Sequence, residues 1–393
     1  MGNRFSFIHC ADLHLGARFV GITDDNPAVG LRMRNSMMLS FSRIIDAGIE
    51  NKADFMVISG DLYDDANVQP SVRLDLCNEL RRFGKPVFIA RGNHDSESPW
   101  DKAIPYPDNV HEFPIIQHHY TMTIRGSQID VTGISFREIH DGRNLVSMIS
   151  GMNDRFTIAV VHCDTYSKDG NYAPCDISDL GGKNVDYWAL GHIHKREVVS
   201  EKPYAVYPGN IQGRSIKETG EKGAYLVAVE DGEVSELRFI PTQTIIWTEL
   251  RVDVTGRSLD AVLDDICEKL GPENAVRIIF EGSGESDAPL RTNLNDILSV
   301  ISDRSGCITA GALVETISIV NPDLIVGRGD MCSKVVEVSR HLSKDCDAIR
   351  NAIFTNPVAE KNRAFYDMFS DEELNDMVES SMRSIILKME ASR

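Results

Sequence analysis

Short apolar runs alternate with polar loops and amphipathic stretches over the first 244 residues of the chain. The runs are rich in β-branched and aromatic residues, and polar residues cluster directly after them. Such runs are typical of strands that are buried on both faces, and their alternation with helices predicts a layered α/β fold. The predicted strands lie at residues 5–8, 55–58, 86–89, 128–131, 156–161 and 187–190.

Amphipathic helices are predicted at residues 31–50 and 70–83. The first has an apolar stripe at helical spacing. Such a stripe usually packs on the core of its own chain, and the alternative is a dimer interface between these helices. The stripe consists of Met33, Met37, Met38, Phe41, Ile44 and Ile45.

The pattern changes near residue 245, where strands and helices alternate over a short distance. This order predicts a compact α+β domain over residues 245–330, after a first domain at residues 1–244. Residues 331–393 are predicted to be helical, with an apolar stripe in residues 374–389 that docks on its own chain or on a partner. The elements predicted for the α+β domain are residues 246–254, 258–270, 276–281, 294–302 and 313–320.

Composition limits the classes of protein that fit. A chain of 393 residues exceeds the size of most single cores, and its net charge of −18 argues against a protein that holds nucleic acid by charge alone. The eight cysteines show no paired spacing, which indicates free thiols in a reducing compartment. No apolar run is long enough to cross a bilayer and the N-terminus lacks a leader pattern, so we expect a cytoplasmic protein.

Five polar segments follow predicted strands, and they carry the residues on which the chemistry depends. Any one of them occurs by chance in many chains, but the five together place carboxylates, an amide and imidazoles at the ends of successive strands, where loops converge. The segments contain Asp12 and His14, Asp61 and Asp64, Asn93 and His94, His162, and His192 and His194.

These side chains predict a pair of divalent metal ions. Oxygen and imidazole ligands without thiolate suit Mn²⁺, Fe²⁺ or Zn²⁺ in a catalytic site rather than a structural zinc site. Asp61 is the candidate for a carboxylate that bridges two ions, and such a pair activates a water as hydroxide for attack on a phosphate ester. The sequence therefore predicts a two-metal phosphoesterase.

His94 is the candidate general acid of this site. It follows Asn93 directly, so if Asn93 turns to a metal, His94 is aimed elsewhere and can reach the leaving oxygen. Asp64 is placed to orient that imidazole.

Six segments of the chain resemble the calcineurin-like metallophosphoesterases, and within them the DNA repair exonucleases of the SbcD type. The resemblance covers about the first 225 residues. It is carried by HCADLHLG at residues 9–16, SGDLYD at 59–64, ARGNHD at 90–95, VH at 161–162, GHIH at 191–194 and YPGNIQG at 207–213.

The resemblance implies a four-layer α/β/β/α sandwich and two ions, most often manganese. One ion would be held by Asp12, His14, Asp61 and His194 and the other by Asp61, Asn93, His162 and His192, with His94 as the acid. It further implies that residues 245–330 form a cap that guides DNA. It also implies a homodimer through residues 31–50 and 70–83, and an SbcC-like ABC ATPase docked on the C-terminal helices.

Two further residues are candidates for substrate contacts. Arg214 is the best candidate for a phosphate contact outside the metals, with a salt bridge at a turn as the equal alternative. Tyr166 lies in a polar loop after His162 and either contacts substrate or is solvated. The other histidines have no ligand spacing and are expected at the surface or in packing roles; they are His9, His111, His118, His119, His140 and His341.

The leading hypothesis is a metal-dependent DNA exonuclease or endonuclease. A phosphodiesterase or phosphatase with a small or protein substrate is the alternative within the same chemistry, because the region at residues 245–330 has seven basic and fifteen acidic residues and no evident basic track. A scaffold that has lost catalysis is the third hypothesis, and it predicts missing ligands.

Overall fold

A computed structural model of the chain describes residues 4–17, 27–65, 68–96, 102–284, 286–316, 322–361, 363 and 369–390. It divides into two compact units. The first comprises residues 1–248 with 273–275, and the second comprises residues 249–272 with 276–393. Within the described residues, every helix is too short or too polar to span a bilayer.

The strands of the first unit form two sheets. The first sheet has the order β12-β11-β1-β2-β3-β4 and the second β5-β6-β7-β8-β10-β9, with parallel pairing from β1 to β4 and from β6 to β8. Each predicted strand lies in one of these sheets. The strands are β1 (Arg4–Cys10), β2 (Phe55–Ser59), β3 (Val87–Ala90), β4 (Val110–Glu112), β5 (His118–Ile124), β6 (Ser127–Ile134), β7 (Phe156–His162), β8 (Tyr187–Gly191), β9 (Glu197–Glu201), β10 (Tyr204–Tyr207), β11 (Gly223–Glu230) and β12 (Glu233–Pro241).

One apolar layer joins the two sheets. Phe7 of β1 stacks on Phe55 of β2 at 5.0 Å between ring centroids and meets Tyr187 of β8 edge-on at 5.2 Å. Val57 and Val160, on facing strands, are fully buried in the same cluster. Burial on both faces explains the near-continuous apolar strands, and it brings the carboxyl ends of β1, β2, β3, β7 and β8 to one edge.

The outer side of the first sheet carries α1 (Pro27–Glu50) and α2 (Pro70–Phe83). Helix α2 begins with Pro70 at its first turn and ends at Gly84, whose left-handed φ of 66° caps it. The predicted apolar stripe of α1 packs inside its own chain: Met33, Met37, Phe41, Ile44 and Ile45 are at most 1% exposed.

The outer side of the second sheet is covered mainly by loops and by two short 3₁₀ segments, Val146–Met148 and Ile177–Leu180. Their apolar side chains close a second core with Trp188 and Leu190. The α/β fold with two facing sheets is therefore confirmed, and its last layer is thinner than the helical layer outside the first sheet.

The second unit holds a three-stranded sheet in the order β13-β14-β15, made of β13 (Ile246–Asp253), β14 (Asn274–Glu281) and β15 (Ile308–Val314). Its apolar face packs on α3 (Leu259–Lys269), α4 (Asp287–Thr292) and α5 (Leu294–Ser305). The last strand starts before the predicted residues 313–320, because Gly306 caps α5 and the chain turns at once into β15. Residues 317–320 lie outside the described residues.

Further helices follow: α6 (Pro322–Ile325), α7 (Met331–Leu342), α8 (Cys346–Phe354), α9 (Pro357–Lys361) and α10 (Asp371–Glu390). Met382 and Ile386 of α10 are buried against Cys332 and Val336 of α7. The stripe predicted in residues 374–389 thus docks, at least in part, on its own chain.

Candidate metal centre

The loops that follow β1 and β2 are joined by backbone hydrogen bonds. The amide of Asp12 donates to the carbonyl of Gly60 at 3.1 Å, and the amide of His14 donates to the carbonyl of Asp61 at 2.9 Å. A third bond, from Leu15 to Leu62, continues the pattern at 2.9 Å. Two ligand-bearing loops that arise from distant parts of the sequence are therefore held in one register.

Several predicted ligands have an unusual backbone conformation. Asp12, His14, Asp61 and His192 have positive φ angles of 52°, 43°, 52° and 103°. Such conformations cost a non-glycine residue about 1–3 kcal/mol and persist where the surroundings enforce them, often at functional sites. The turn at each strand end directs the side chain inward over the edge of the sheets.

Asp12, His14 and His194 form the first group that can hold a metal ion. The Nε2 atoms of His14 and His194 face each other at 3.0 Å. His194 Nδ1 lies 2.7 Å from the carboxylate of Glu218, which can only accept, so this nitrogen carries a proton and the neutral ring directs a lone pair at His14. A cation between the two rings satisfies this arrangement.

Asp12, Asp61 and His162 form the second group. His162 Nδ1 donates to the carbonyl of Ser59 at 2.9 Å, so the lone pair of the neutral ring is on Nε2. That nitrogen lies 3.1 Å from Asn93 Oδ1 and 3.4 Å from Asp61 Oδ2. Three acceptor atoms thus converge, and a divalent cation between them would offset their mutual repulsion.

Asp61 connects the two groups. Its Oδ2 lies 3.4 Å from His162 Nε2 and 3.8 Å from His14 Nε2, while Oδ1 accepts from the amide of His94 at 3.0 Å. Asp12 belongs to both groups, and its carboxylate also accepts from the amide of His192 at 3.1 Å. The carboxylates therefore lie between the imidazoles, as a two-ion site requires.

His192 lies beside the second group. Its ring centroid is 5.2 Å from that of His162 and 5.4 Å from that of Tyr172. Burial, helped by His162, lowers the pKa of His192 to about 3. Its ring is therefore neutral near pH 7, the form that binds a metal ion.

Burial and neighbouring charges also shift the pKa values of other ionisable groups in the site. Burial also holds the pKa of His14 well below its usual value. Burial raises the pKa of Asp12, whereas for Asp61 the opposing burial is outweighed by His162 and His14, so its pKa is lowered. For His194, burial lowers the pKa, but Glu218 and Asp12 outweigh burial and the pKa is raised. The neutral rings of His14 and His192 and the converging acceptor atoms fit a pair of divalent ions.

His94 is exposed and forms, with His14 and Asp64, a third group whose atoms could hold a metal ion. Its Nδ1 lies 2.5 Å from the backbone carbonyl of Asp64, and its ring meets that of His14 at 4.9 Å between centroids. Nδ1 therefore donates to the carbonyl, which leaves Nε2 to exchange a proton with substrate. The hydrogen bond by which Asp64 orients His94 is made by its backbone carbonyl.

Arg214 and Tyr166 are engaged by other side chains. The guanidinium of Arg214 contacts the carboxylate of Asp64 at 2.6 Å, as in the salt-bridge alternative. The hydroxyl of Tyr166 bonds to Glu197, and partial burial together with this bond raises the pKa of Tyr166 to about 12. Tyr166 is 57% exposed.

Some residues of the site have no recognisable signal in the sequence. Glu218 and Lys222 both hold His194: Glu218 contacts Nδ1, and Lys222 Nζ donates to the backbone carbonyl at 2.9 Å. Each is a single charge in a polar loop. The buried carboxylate of Asp95, within the GNHD segment, accepts from the amides of Leu62 and Gly92 at 2.8 and 2.7 Å. It ties the loop after β2, which contains Asp61, to the loop after β3.

Comparisons with known proteins match the region that carries these ligands. A family model described as calcineurin-like phosphoesterase matches residues 5–196. A Bacillus subtilis protein named "Uncharacterized metallophosphoesterase YhaO" is 34% identical over 318 residues, covering 76% of this chain and 78% of that protein.

More distant relatives carry the name "DNA double-strand break repair protein Mre11". The protein from Aeropyrum pernix is 22% identical over 278 residues, covering 65% of this chain and 66% of that protein. The protein from Sulfolobus acidocaldarius is 23% identical over 310 residues, covering 73% and 76%.

Proposed function

Because this chain belongs to the calcineurin-like metallophosphoesterase family, we propose that it is a dimanganese-dependent DNA nuclease of the SbcD type that acts in DNA repair. Family membership makes it a hydrolase of phosphate esters. The observation that carries the proposal is the pair of ligand groups that meet at Asp61, with His94 beside them.

The proposal assigns the ligands to two ions, each with its own pair of imidazoles. Asp12, His14, Asp61 and His194 would hold one ion, and Asp61, Asn93, His162 and His192 the other. Two divalent ions in these positions supply a nucleophilic hydroxide and screen the charge of the phosphate. The oxygen and nitrogen ligands suit Mn²⁺.

The protein's own contribution to the reaction is position and proton transfer. Asp61, whose carboxylate is fixed by the His94 amide, lies between the two ligand groups. His94, whose Nδ1 is held by the Asp64 carbonyl, gives a proton from Nε2 to the leaving oxygen. Asp64 thus acts on catalysis through its backbone. Arg214 and Tyr166 are proposed to meet the substrate at the rim of the site, where Arg214 would contact a phosphate oxygen while it stays paired with Asp64.

DNA as the substrate is supported by the names of the distant relatives, which are DNA double-strand break repair proteins. The net charge of −18 favours the alternative, a phosphodiesterase or phosphatase with a small or protein substrate. The scaffold hypothesis finds no support in the ligands, because all seven are present.

We assign proposed roles to the remaining regions on the same basis. Residues 245–330 would guide DNA as a cap. The C-terminal helices would dock an SbcC-like ABC ATPase in a groove of about 1020 Å³ lined by residues of α7, α8 and α10. A homodimer would use the outer faces of α1 and α2, where Leu31, Leu39 and Leu74 are about half exposed. The cytoplasm is the proposed location.

Purified protein loaded with Mn²⁺ should be tested on linear duplex DNA, single-stranded DNA and bis(nitrophenyl) phosphate. We expect cleavage of DNA and of the small ester, and loss of both in Asp61→Asn. Turnover of the small ester without DNA cleavage would replace the nuclease proposal by the small-substrate alternative. Copurification from the native cell tests the ATPase, and light scattering tests the dimer.

A further inference from the structure

We infer that Asp64, Arg214 and Glu218 form an ionic triad that positions the imidazoles of His14 and His194 for one of the two metal ions. None of the three is among the ligands proposed above. The inference rests on the metal centre of the proposed function, but not on the identity of the substrate.

Glu218 is the most constrained member of the triad. Its Oε1 lies 2.7 Å from His194 Nδ1, and its Oε2 accepts from Asn210 Nδ2 at 3.0 Å and from the Arg214 amide at 2.7 Å. Its side chain is 15% exposed. Because three donors bind this carboxylate, it is held in one orientation. It therefore fixes both the orientation and the tautomer of the His194 ring.

Asp64 lies beside the outer nitrogen of the other imidazole, at ion-pair distance but without the hydrogen bond that Glu218 makes. Its Oδ1 lies 3.3 Å from His14 Nδ1, a nitrogen that is buried and has no hydrogen-bond partner. The Nε2 atom of the same ring faces His194. A carboxylate on the outer nitrogen of each ring favours a proton there and a lone pair on the inner nitrogen, where the cation binds.

Arg214 connects the two carboxylates. It contacts Asp64 Oδ1 at 2.6 Å through Nη1 and approaches Glu218 Oε1 to 3.7 Å through Nη2. Without this guanidinium, Asp64 and Glu218 would add two negative charges beside the buried carboxylate of Asp12. The triad also ties the loop after β2 to the loop after β10, which are 150 residues apart in the sequence.

The prediction is selective: the triad should affect the ion held by His14 and His194 more than the ion held by Asn93 and His162. A carboxylate that orients a ligating histidine typically changes metal affinity by about 10- to 100-fold. Because His162 takes its orientation from the Ser59 carbonyl instead, the second ion should keep its affinity.

Metal-free protein should be titrated with Mn²⁺ by calorimetry, and the spin coupling of the two bound ions should be followed by electron paramagnetic resonance. The variants are Glu218→Gln and Asp64→Asn, at opposite ends of the triad. Glu221→Gln is the matched control, because Glu221 lies in the same loop, its side chain is 58% exposed, and it pairs with Arg196 at 3.9 Å, outside the triad.

We expect each variant to bind one Mn²⁺ with the parental affinity and the other about 10- to 100-fold more weakly, with loss of the spin-coupled signal. Glu221→Gln should bind both ions as the parent does. Two ions at parental affinity in Glu218→Gln would overturn the inference. Equal loss of both ions with a lowered unfolding temperature of the metal-free protein would also overturn it, because the triad would then be a general structural element. No DNA is present, so a failure of the nuclease proposal leaves this result unaffected.

Discussion

Gly92 allows the loop after β3 to approach Asp61, and a single methyl group there should disable the metal centre. A Cβ at residue 92 would lie 2.1 Å from Asp61 Oδ1 and 2.8 Å from the Asp61 amide nitrogen. Contacts under 3.0 Å are not tolerated, so the carboxylate must move by about 0.9 Å or more. Metal–ligand distances tolerate only about 0.2 Å.

Hydrogen bonds to Asp61 oppose this shift of its carboxylate. The Asp61 carbonyl accepts from His14, and the displaced oxygen accepts from the amide of His94. Since Asp61 serves both ions, Gly92→Ala should reduce bound Mn²⁺ below two per chain. A misplacement of this size should lower kcat/KM at least about 10²-fold.

Calorimetry with Mn²⁺ and hydrolysis of bis(nitrophenyl) phosphate measure the two effects. Gly181→Ala is the matched control, because Gly181 has a φ of −76° and a methyl group there would meet nothing closer than the Ser178 carbonyl oxygen at 3.6 Å. Thermal unfolding of both metal-free variants separates a local effect from misfolding. Two bound ions and parental kcat in a folded Gly92→Ala variant would refute the steric reasoning.

Three other predictions follow from the site and its surroundings. His94→Gln should still bind two Mn²⁺ ions in calorimetry, but its kcat should fall about 10²- to 10⁴-fold, because the ring donates a proton without binding an ion. Loss of an ion in this variant would instead make His94 a metal ligand. Removal of metal with a chelator should abolish hydrolysis and lower the unfolding temperature. Mn²⁺ at about 100 times the Kd of a site should restore about 2.7 kcal/mol of stability for each ion bound. An unfolding temperature unaffected by Mn²⁺ would contradict this. Burial lowers the pKa of His9 from 6.5 to about 3, so the unfolded chain binds the extra proton and the free energy of unfolding should fall by up to about 1.4 kcal/mol per pH unit as pH drops from about 6.5 to about 3. In the metal-free protein burial also lowers the pKa values of His14 and His192, which give slopes of the same sign. His9→Asn should therefore lower the total slope in denaturant titrations by up to about 1.4 kcal/mol per pH unit without abolishing it. An unchanged slope would show that His9 makes no contribution.

Most of the core strands and the two long helices of the first unit could be predicted from local patterns, because burial on both faces of a strand and on one face of a helix requires characteristic spacing. Strand β11 is buried in the core but is not among the predicted strands. Helix α2 has the predicted bounds, Pro70–Phe83. The apolar pattern does not predict strands β9 and β12, since they are edge strands with many exposed positions. His9, expected at the surface or in packing, lies between the sheets and contacts Tyr187 OH at 3.0 Å.

The residues that could hold metal ions in the structure were recognisable in the sequence, because they lie in short segments of characteristic residue types directly after strands. Asp12, Asp61 and His162 could be selected from their residue types and positions, before any distance was known. The contacts that orient those residues could not be predicted in this way. The sequence points to Asp64 and Arg214, but for other roles, and it does not point to Glu218, because a single acidic residue in a polar loop has no periodicity to mark it. In the proposed triad all three act through contacts between loops that are far apart in the sequence. Candidate ligands can therefore be recognised from the local sequence. The tautomer and direction of each imidazole cannot, because they depend on which distant carboxylate or carbonyl the tertiary structure brings to its outer nitrogen.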